Sequence, residues 1–358
     1  MACAGLYRFN TRLLHTKFPK RTSSSSSARI NHTISASTSS DDAFFTWDDV
    51  FRSAKPHDAP RDSPNSNLHA FFDRIKACNR GSEMRREFIP FVVEERIVGY
   101  VHNRFAEVLR DFKDVFVLEE DDDDRRVSLC GSLASPEERT DAVGEVIERL
   151  GEGVIPGIRN ELYPVTSSFG APVFFSLERA AAPYFGIKAY GIHMNGYVDR
   201  DGEKFLWIGK RSNKKPTFPG MLDHLVAGGL PHDVTCKENV LKECEEEAGI
   251  PRSLAKSAVP VGAVSYIDID EYKYKRDVLF CYDLKIPDGF VPSNQDGEVD
   301  SFKLIPVTDV ANIIRRTKLF KPNCSLVIID FLFRHGFITP EESGYLQLLQ
   351  SLRSGDCS

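Results

Sequence analysis

The chain has 358 residues, 41% of them hydrophobic and 27% charged, a balance that suits two modest cores better than one compact domain. A net charge of −6 excludes any global attraction for a nucleic-acid polymer or an anionic membrane, so a phosphorylated ligand needs a local device such as a bound cation. The eight cysteines are scattered singly with no C-x-x-C pair, which excludes the common zinc and dithiol motifs and points to a reduced intracellular compartment.

The chain opens with Arg8, Arg12, Lys17, Lys20, Arg21 and Arg29, a serine run from Ser23 to Ser27, and no acidic residue before Asp41. Basic, hydroxylated and acid-poor, residues 1–45 read as an organelle transit peptide, with the plastid stroma as destination and the mitochondrion as runner-up. Residues 46–65, broken by Pro56, Pro60 and Pro64, read as a linker. Residues 66–185 form a small α+β accessory domain. It starts with a helical face of Leu68, Phe71, Phe72, Ile75 and Cys78, followed by a hairpin of Phe91–Val93 and Ile97–Val101. A helix through Phe105 and Leu109, a strand Val115–Leu118 and a helix through Ala142, Val146 and Leu150 complete it. The acidic run Glu119–Asp124 reads as a solvated loop, because contiguous carboxylates fix no geometry, and Glu161–Tyr184 shows no usable period.

Residues 186–345 form a second domain, ahead of a tail at 346–358. Strands are expected at Gly191–Tyr197 and Phe205–Ile208 across an Asp201-Gly202 turn, then at Val261–Ile267, Val278–Tyr282 and Phe302–Ile305. Helices are expected at Lys237–Ala248, Val310–Arg316 and Ser325–Arg334, the last with Asn323 as cap and Gly336 as stop. Strands interleaved with packed helices give an α/β, three-layer domain with a mixed sheet. The longest apolar stretch, Leu326–Ile329, is cut by Asp330 and is too short to span a bilayer, so a soluble protein is expected.

The chemistry concentrates at one helix. Glu243, Glu246 and Glu247 stand at i, i+3 and i+4, which puts three carboxylates on one face, where they repel unless a cation joins them. Mg2+, or Mn2+ in its place, suits such a hard oxygen cluster. The alternative is an acidic solvent face paired with Lys242. Gly228-Gly229 upstream allows close backbone approach, and Gly249 provides a left-handed stop.

With its spacing, this stretch resembles the Nudix hydrolase signature G-x5-E-x7-R-E-U-x-E-E-x-G-U. Gly228 takes the first glycine, Glu243 the glutamate after the arginine, Cys244 the apolar position, Glu246 and Glu247 the glutamate pair, and Gly249 and Ile250 the end. Two positions depart: Val234 replaces the first glutamate, with Asp233 beside it, and Lys242 replaces the arginine. A one-residue-shorter loop starting at Gly229 is a second alignment. Trp207–Ser212, Pro219–Asp223 and Ala227–Gly229 further resemble plant plastid Nudix hydrolases and the Nudix portion attached to fungal thiamine pyrophosphokinase, and Val98–Val101 is similar to the module that precedes that branch.

The resemblance implies an α/β/α-sandwich and metal-assisted hydrolysis of a small-molecule diphosphate. The substrate is either thiamine diphosphate or its oxidised analogues or a nucleoside diphosphate derivative. Glu246 and Glu247 are then the principal metal ligands and Glu243 a ligand or base, with the Gly228 carbonyl completing the metal shell. Glu298 is a later acidic contributor, and Arg211, Lys215 and Asp223 are candidate substrate contacts. The alternative is a Nudix-fold binding module without catalysis, for which Val234 argues.

Overall fold

A computed structural model describes residues 45–55, 68–121 and 124–356. The expected transit peptide, apart from Phe45, and the three linker prolines lie outside the described residues.

The expected linker begins instead with a helix, α1 (Trp47–Ala54). Thr46 and Asp49 form a reciprocal capping box at its start, and Val50 and Ala54 are buried. Helix α2 (His69–Lys76) follows on the expected apolar face. Both helices bury their apolar residues among the C-terminal helices, in one cluster with Ile313 and Leu326, and not in the segment that comes next. That segment holds β1 (Phe88–Val93), β2 (Arg96–His102), α3 (Asn103–Leu109), β3 (Phe116–Asp121) and β4 (Asp124–Leu129), in a sheet ordered β2-β1-β4-β3.

Of the acidic run, Glu119–Asp121 belong to β3 and Asp124 to β4, so these residues are paired strand and not a solvated loop; residues 122 and 123 lie outside the described residues. Register places Glu119 opposite Arg126 and Glu120 opposite Arg125. The ion pairs close at 2.6 Å and 2.9 Å, with Arg110 adding 3.0 Å to Glu120, so cross-strand cations offset the carboxylate repulsion. Helix α4 (Pro136–Leu150) carries a Ser135–Glu138 capping box and stops at Gly151. The stretch without a usable period forms β5 (Leu162–Val165) and β6 (Phe175–Glu178), a two-stranded hairpin, and then α5 (Ala182–Phe185).

The second domain is built on β7 (Lys188–Arg200) and β8 (Glu203–Arg211), joined by Asp201 and Gly202 at φ 52 and 84, the left-handed pair a tight hairpin requires. After β9 (Leu222–Asp223) and β10 (Val226–Gly229) come α6 (Cys236–Ala248), α7 (Arg252–Ala255), β11 (Val259–Asp270), β12 (Lys273–Lys285) and β13 (Val299–Pro306). Helices α8 (Val307–Arg316), α9 (Pro322–Arg334) and α10 (Tyr345–Ser351) close the chain. The sheet runs β11-β12-β7-β8-β13, with β10 on β7 and β9 on β8; β12 is parallel to β7 and its other ladders are antiparallel.

Strand alternation divides the core between two faces. Leu206, Ile208, Leu279 and Cys281 face α8, α9 and the two N-terminal helices, while Trp207, Leu284, Met194 and Ile192 face α6. The expected three-layer α/β/α domain with a mixed sheet is thus present. Two details differ from expectation. Asn323 lies inside α9, whose first turn is set by Pro322 after Lys321, and the expected tail forms α10 and buries Leu348 and Leu352. The six cysteines among the described residues are free thiols, and no helix of the described residues is long and apolar enough to cross a membrane.

Candidate active site

Helix α6 is fixed at both ends. The Thr235 hydroxyl accepts from the Glu238 amide at its start. At its end the Gly249 amide donates to Glu245 O and the Ile250 amide to Cys244 O at 2.9 Å, with Gly249 at φ 61, a Schellman stop. Its inner face, Val240, Leu241, Cys244 and Ala248, packs on the sheet, and the buried Asn239 donates to Gly229 O at 2.7 Å. The glutamate face is thereby held against β10. A Cβ on Gly228 would lie 2.4 Å from the Glu243 carboxyl carbon, so glycine is what admits that side chain. One turn on, Glu247 Oε2 accepts from the Ala227 amide at 2.8 Å. Glu246 sits at the rim, its side chain 50% exposed against 14% for Glu243.

Ladder geometry corrects the expected backbone ligand. In an antiparallel strand a residue's N–H and C=O point to the same edge and alternate along the chain. Because the Ala227 amide faces Glu247 and the Gly229 carbonyl faces Asn239, the Gly228 carbonyl is turned to β7, where Gly228 pairs with Ile192. The carbonyl presented beside Glu247 is that of Ala227.

Glu298 reaches the same neighbourhood on the loop before β13. That loop is tied to the end of α6 by the Ser293 amide donating to Ala248 O at 3.0 Å, and Glu298 O accepts from Ser212 N at 2.8 Å. Burial raises the proton affinity of Glu247 well above the usual carboxylate range; the Ala227 amide only partly offsets this, and Asp223, Glu243 and Glu298 add to it. Glu243 is raised as well, by burial against the partial relief of Lys242, with Glu246 and Glu298 contributing. Lys242 Nζ stands 3.4 Å from Glu243 and 3.3 Å from Glu246; burial opposes its charge, but the two carboxylates outweigh it and raise its proton affinity. Lys215 pairs with Glu298. Four carboxylates against two ammonium groups leave an excess of about two negative charges, which a divalent cation matches.

The other sequence candidates are placed differently. Arg211 donates to Asp223 Oδ2 at 2.8 Å and to the Phe218 and Thr217 carbonyls, so its guanidinium is engaged inside the fold. Asp223 is buried. Burial disfavours its charge, but Lys321, His224 and Arg211 outweigh this and hold it well below the usual carboxylate range. Asp223, His224 and Cys324 bring potential ligand atoms within 4.8 Å of one another. Even so, Arg211 and Lys321 already compensate the carboxylate, and charge balance opposes a further cation there. Asp233, beside Val234, has its side chain 89% exposed and 3.2 Å from His232 Nε2.

Sequence reasoning missed the hairpin β5–β6, which touches the loop before α6. Leu162 O accepts from the His232 amide at 3.0 Å, Ser176 Oγ lies 2.6 Å from His232 Nδ1, and the Tyr163 hydroxyl would stand 2.1 Å from a Cβ on Gly229. The one signal available was the second glycine itself, which marks a strand position that something covers closely.

A glutamate-bearing helix stopped by glycine and laid on a glycine strand of a mixed sheet is the arrangement of a NUDIX domain, and the family model of that description matches residues 191–323. Residues 70–189 match a domain of unknown function, DUF4743. The chain is 62% identical over 347 residues to Nudix hydrolase 20, chloroplastic, of Arabidopsis thaliana, covering 94% of this chain and 91% of the relative. It is 58% identical over 354 residues to Nudix hydrolase 24, chloroplastic, of the same plant, covering 98% and 96%. An uncharacterized protein of Saccharomyces cerevisiae is 42% identical over 210 residues, 54% of this chain and 60% of that one. The chain belongs to the Nudix hydrolase family. The resemblance to plant plastid members with an accessory domain in front is borne out.

Proposed function

We propose that this Nudix hydrolase is a divalent-metal-dependent diphosphatase of the plastid stroma. Its substrate is a small-molecule diphosphate, either thiamine diphosphate or its oxidised analogues or a nucleoside diphosphate derivative. The observation that carries the reading is the convergence of Glu243 and Glu247 on β10, with Glu246 at the rim and the field of Glu298 felt by both inner glutamates. The fit to a cation rests on the cluster's own chemistry: hard oxygen donors, excess negative charge, and two inner carboxyls whose proton affinity is raised by burial, with the neighbouring carboxylates adding to it. The plastid reading rests on the acid-free basic start of the chain and on the chloroplastic names of the two Arabidopsis relatives.

Mg2+ or Mn2+, when bound, polarises the phosphate oxygens and eases deprotonation of water. Glu246 and Glu247 would hold the ion, and the Ala227 amide, donating to Glu247 Oε2 at 2.8 Å, keeps Glu247 in place. Glu243, partly desolvated and with a raised proton affinity, serves as ligand or as the base that takes a proton from water. Lys242 shields the pair Glu243 and Glu246. The test is a panel of diphosphates, including nucleotide sugars, oxidised nucleotides and thiamine diphosphate analogues, scored for Mg2+-dependent release of cleavage products: inorganic phosphate from the thiamine diphosphate analogues, and the two monophosphates from the nucleotide sugars. Release abolished in Glu246→Gln with folding intact supports the reading; an unchanged rate removes it.

A second reading, a binding module without turnover, is favoured by one observation. Val234 holds the first glutamate position, and Asp233 does not turn inward to replace it. That reading predicts ligand binding with no cleavage of the diphosphate bond.

A further inference from the structure

We propose that the sheet face beyond the end of α9 holds a second binding site, for a small molecule that joins a planar ring to a phosphate, sulfonate or carboxylate group. The site stands apart from the glutamate cluster and does not depend on the diphosphatase reading. Its cavity of about 520 Å3 is the size of a site for a drug-sized ligand. Three neighbouring strands form the floor. Register pairs Lys285 of β12 with Tyr197 of β7, and Asp283 of β12 with Val259 of β11. Alternation therefore turns all four side chains to one face, where the Tyr197 ring centroid lies 5.9 Å from that of Phe331 on α9. Helix α6, with its glutamates, packs on the other face. Because α9 ends at Arg334, the strand ends beyond it stay open: Val259 is 56% exposed, and Lys285 is exposed too.

The lining divides by chemistry. Tyr197, Val259 and Val261 make an apolar bed for a ring. Lys285 and Arg334 set two cations against the one carboxylate of Asp283, in a chain whose net charge is −6. That carboxylate is already engaged: Arg334 Nη2 donates to its Oδ1 at 3.0 Å, and His335 Nε2 stands 2.8 Å from its Oδ2. Burial opposes the charge of Asp283, but these hydrogen bonds outweigh it and hold the carboxyl below its usual range. Neighbouring carboxylates have cations of their own, Asp330 from Arg334 and Arg353 at 2.7 Å each and Asp199 from Lys204 at 3.1 Å. Lys285 lies in the field of Asp199 but forms no ion pair among the described residues, so its ammonium is left for a ligand's acid group. The carbonyl end of a helix repels anions, yet here it is capped. Phe331 O, Leu332 O and Phe333 O accept from the amides of His335, Phe337 and Gly336. A ring laid on Tyr197 and the two valines, with its acid group toward Lys285, satisfies both halves of the lining.

The test is a fluorescence titration of the full chain with anilinonaphthalene sulfonate, a ring compound that carries one sulfonate. EDTA in the buffer keeps the glutamate cluster metal-free, so that it repels the anionic dye. Wild type is compared with Lys285→Gln, Val259→Asp and Glu247→Gln, each with a thermal melt. Wild type should bind the dye saturably. Lys285→Gln should bind about fivefold more weakly, the loss of one exposed charge pair, and Val259→Asp about tenfold more weakly, since it sets a carboxylate under the ring. Both substitutions fall on exposed side chains, so the melting midpoints should stay nearly unchanged. Glu247→Gln should bind the dye as wild type does. Should Val259→Asp fail to fold, Lys285→Gln decides. No saturable binding by wild type, an unchanged Kd in folded Lys285→Gln, or a Kd that shifts in Glu247→Gln overturns the inference.

Discussion

Substitution of Gly228 by alanine separates the site from the fold. The new Cβ would stand 2.4 Å from both Cδ and Oε1 of Glu243 and 2.6 Å from its Cγ. Comfortable contact begins at about 3.5 Å, so the carboxylate must retreat by roughly 1 Å. Gly228 lies in a strand and has no left-handed φ, so alanine is unstrained and gains about 0.4–1 kcal/mol by restricting the unfolded chain. Forcing Glu243 off its rotamer costs about 0.5–1.5 kcal/mol, and the two effects nearly cancel. Catalysis has no such compensation: a displacement of about 1 Å in a reacting group costs on the order of 100-fold, or about 2.7 kcal/mol of transition-state stabilisation. Thermal melts should therefore match wild type within a few degrees, while kcat/KM for Mg2+-dependent phosphate release falls about 100-fold. A folded Gly228→Ala protein with kcat/KM within twofold of wild type would refute the reasoning.

The raised proton affinity of Glu247 makes its stabilising contribution complete below the unfolded value of 4.5 and lost as pH rises through the folded value, so the metal-free protein carries a penalty at neutral pH. Metal-free Glu247→Gln should accordingly melt higher than wild type near pH 8, the gap closing toward pH 4.5, and Mg2+ should raise the wild-type midpoint alone; coincident melts across that range contradict this. Arg211→Met should destabilise by roughly 3 kcal/mol, because it leaves Asp223 buried with a weaker counter-charge. A urea titration checks it, and a loss of kcat/KM at unchanged stability would instead return Arg211 to substrate contact. Gly229→Ala should cost about 1–3 kcal/mol by driving a methyl into the Tyr163 hydroxyl. Tyr163→Phe in the same chain should recover part of it, since the nearest remaining ring atom is 3.0 Å away; equal melting of single and double variants would show that the contact relaxes elsewhere.

Long periodic elements were legible in the sequence because each carries its own signal. The α6 glutamates fall at helical spacing, Gly249 stops the helix where expected, and Asp201-Gly202 supplies the left-handed turn between β7 and β8. What the sequence hid depends on pairing between distant segments. The strands β5 and β6 have four residues each, too few for alternation to show, and they touch Gly229 and the loop before α6 through Tyr163 and Ser176, which lie more than fifty residues before the α6 glutamates. The acidic run looked like a loop because Arg125 and Arg126 neutralise it only once the β3–β4 register is known. Arg211 and Asp223 are polar residues near a motif, and only burial reveals that they satisfy each other. The outward carbonyl is that of Ala227 because ladder phase, which spacing does not encode, turns Gly228 toward β7.

The central claim is that these glutamates form one cation site on β10. Titration of the full chain with Mn2+, followed by the electron paramagnetic resonance of the free ion, tests it without reference to any substrate. Wild type should take up Mn2+ saturably, and Glu247→Gln should bind it at least tenfold more weakly while still folded. Equal uptake by both proteins, or none by wild type, would contradict the account.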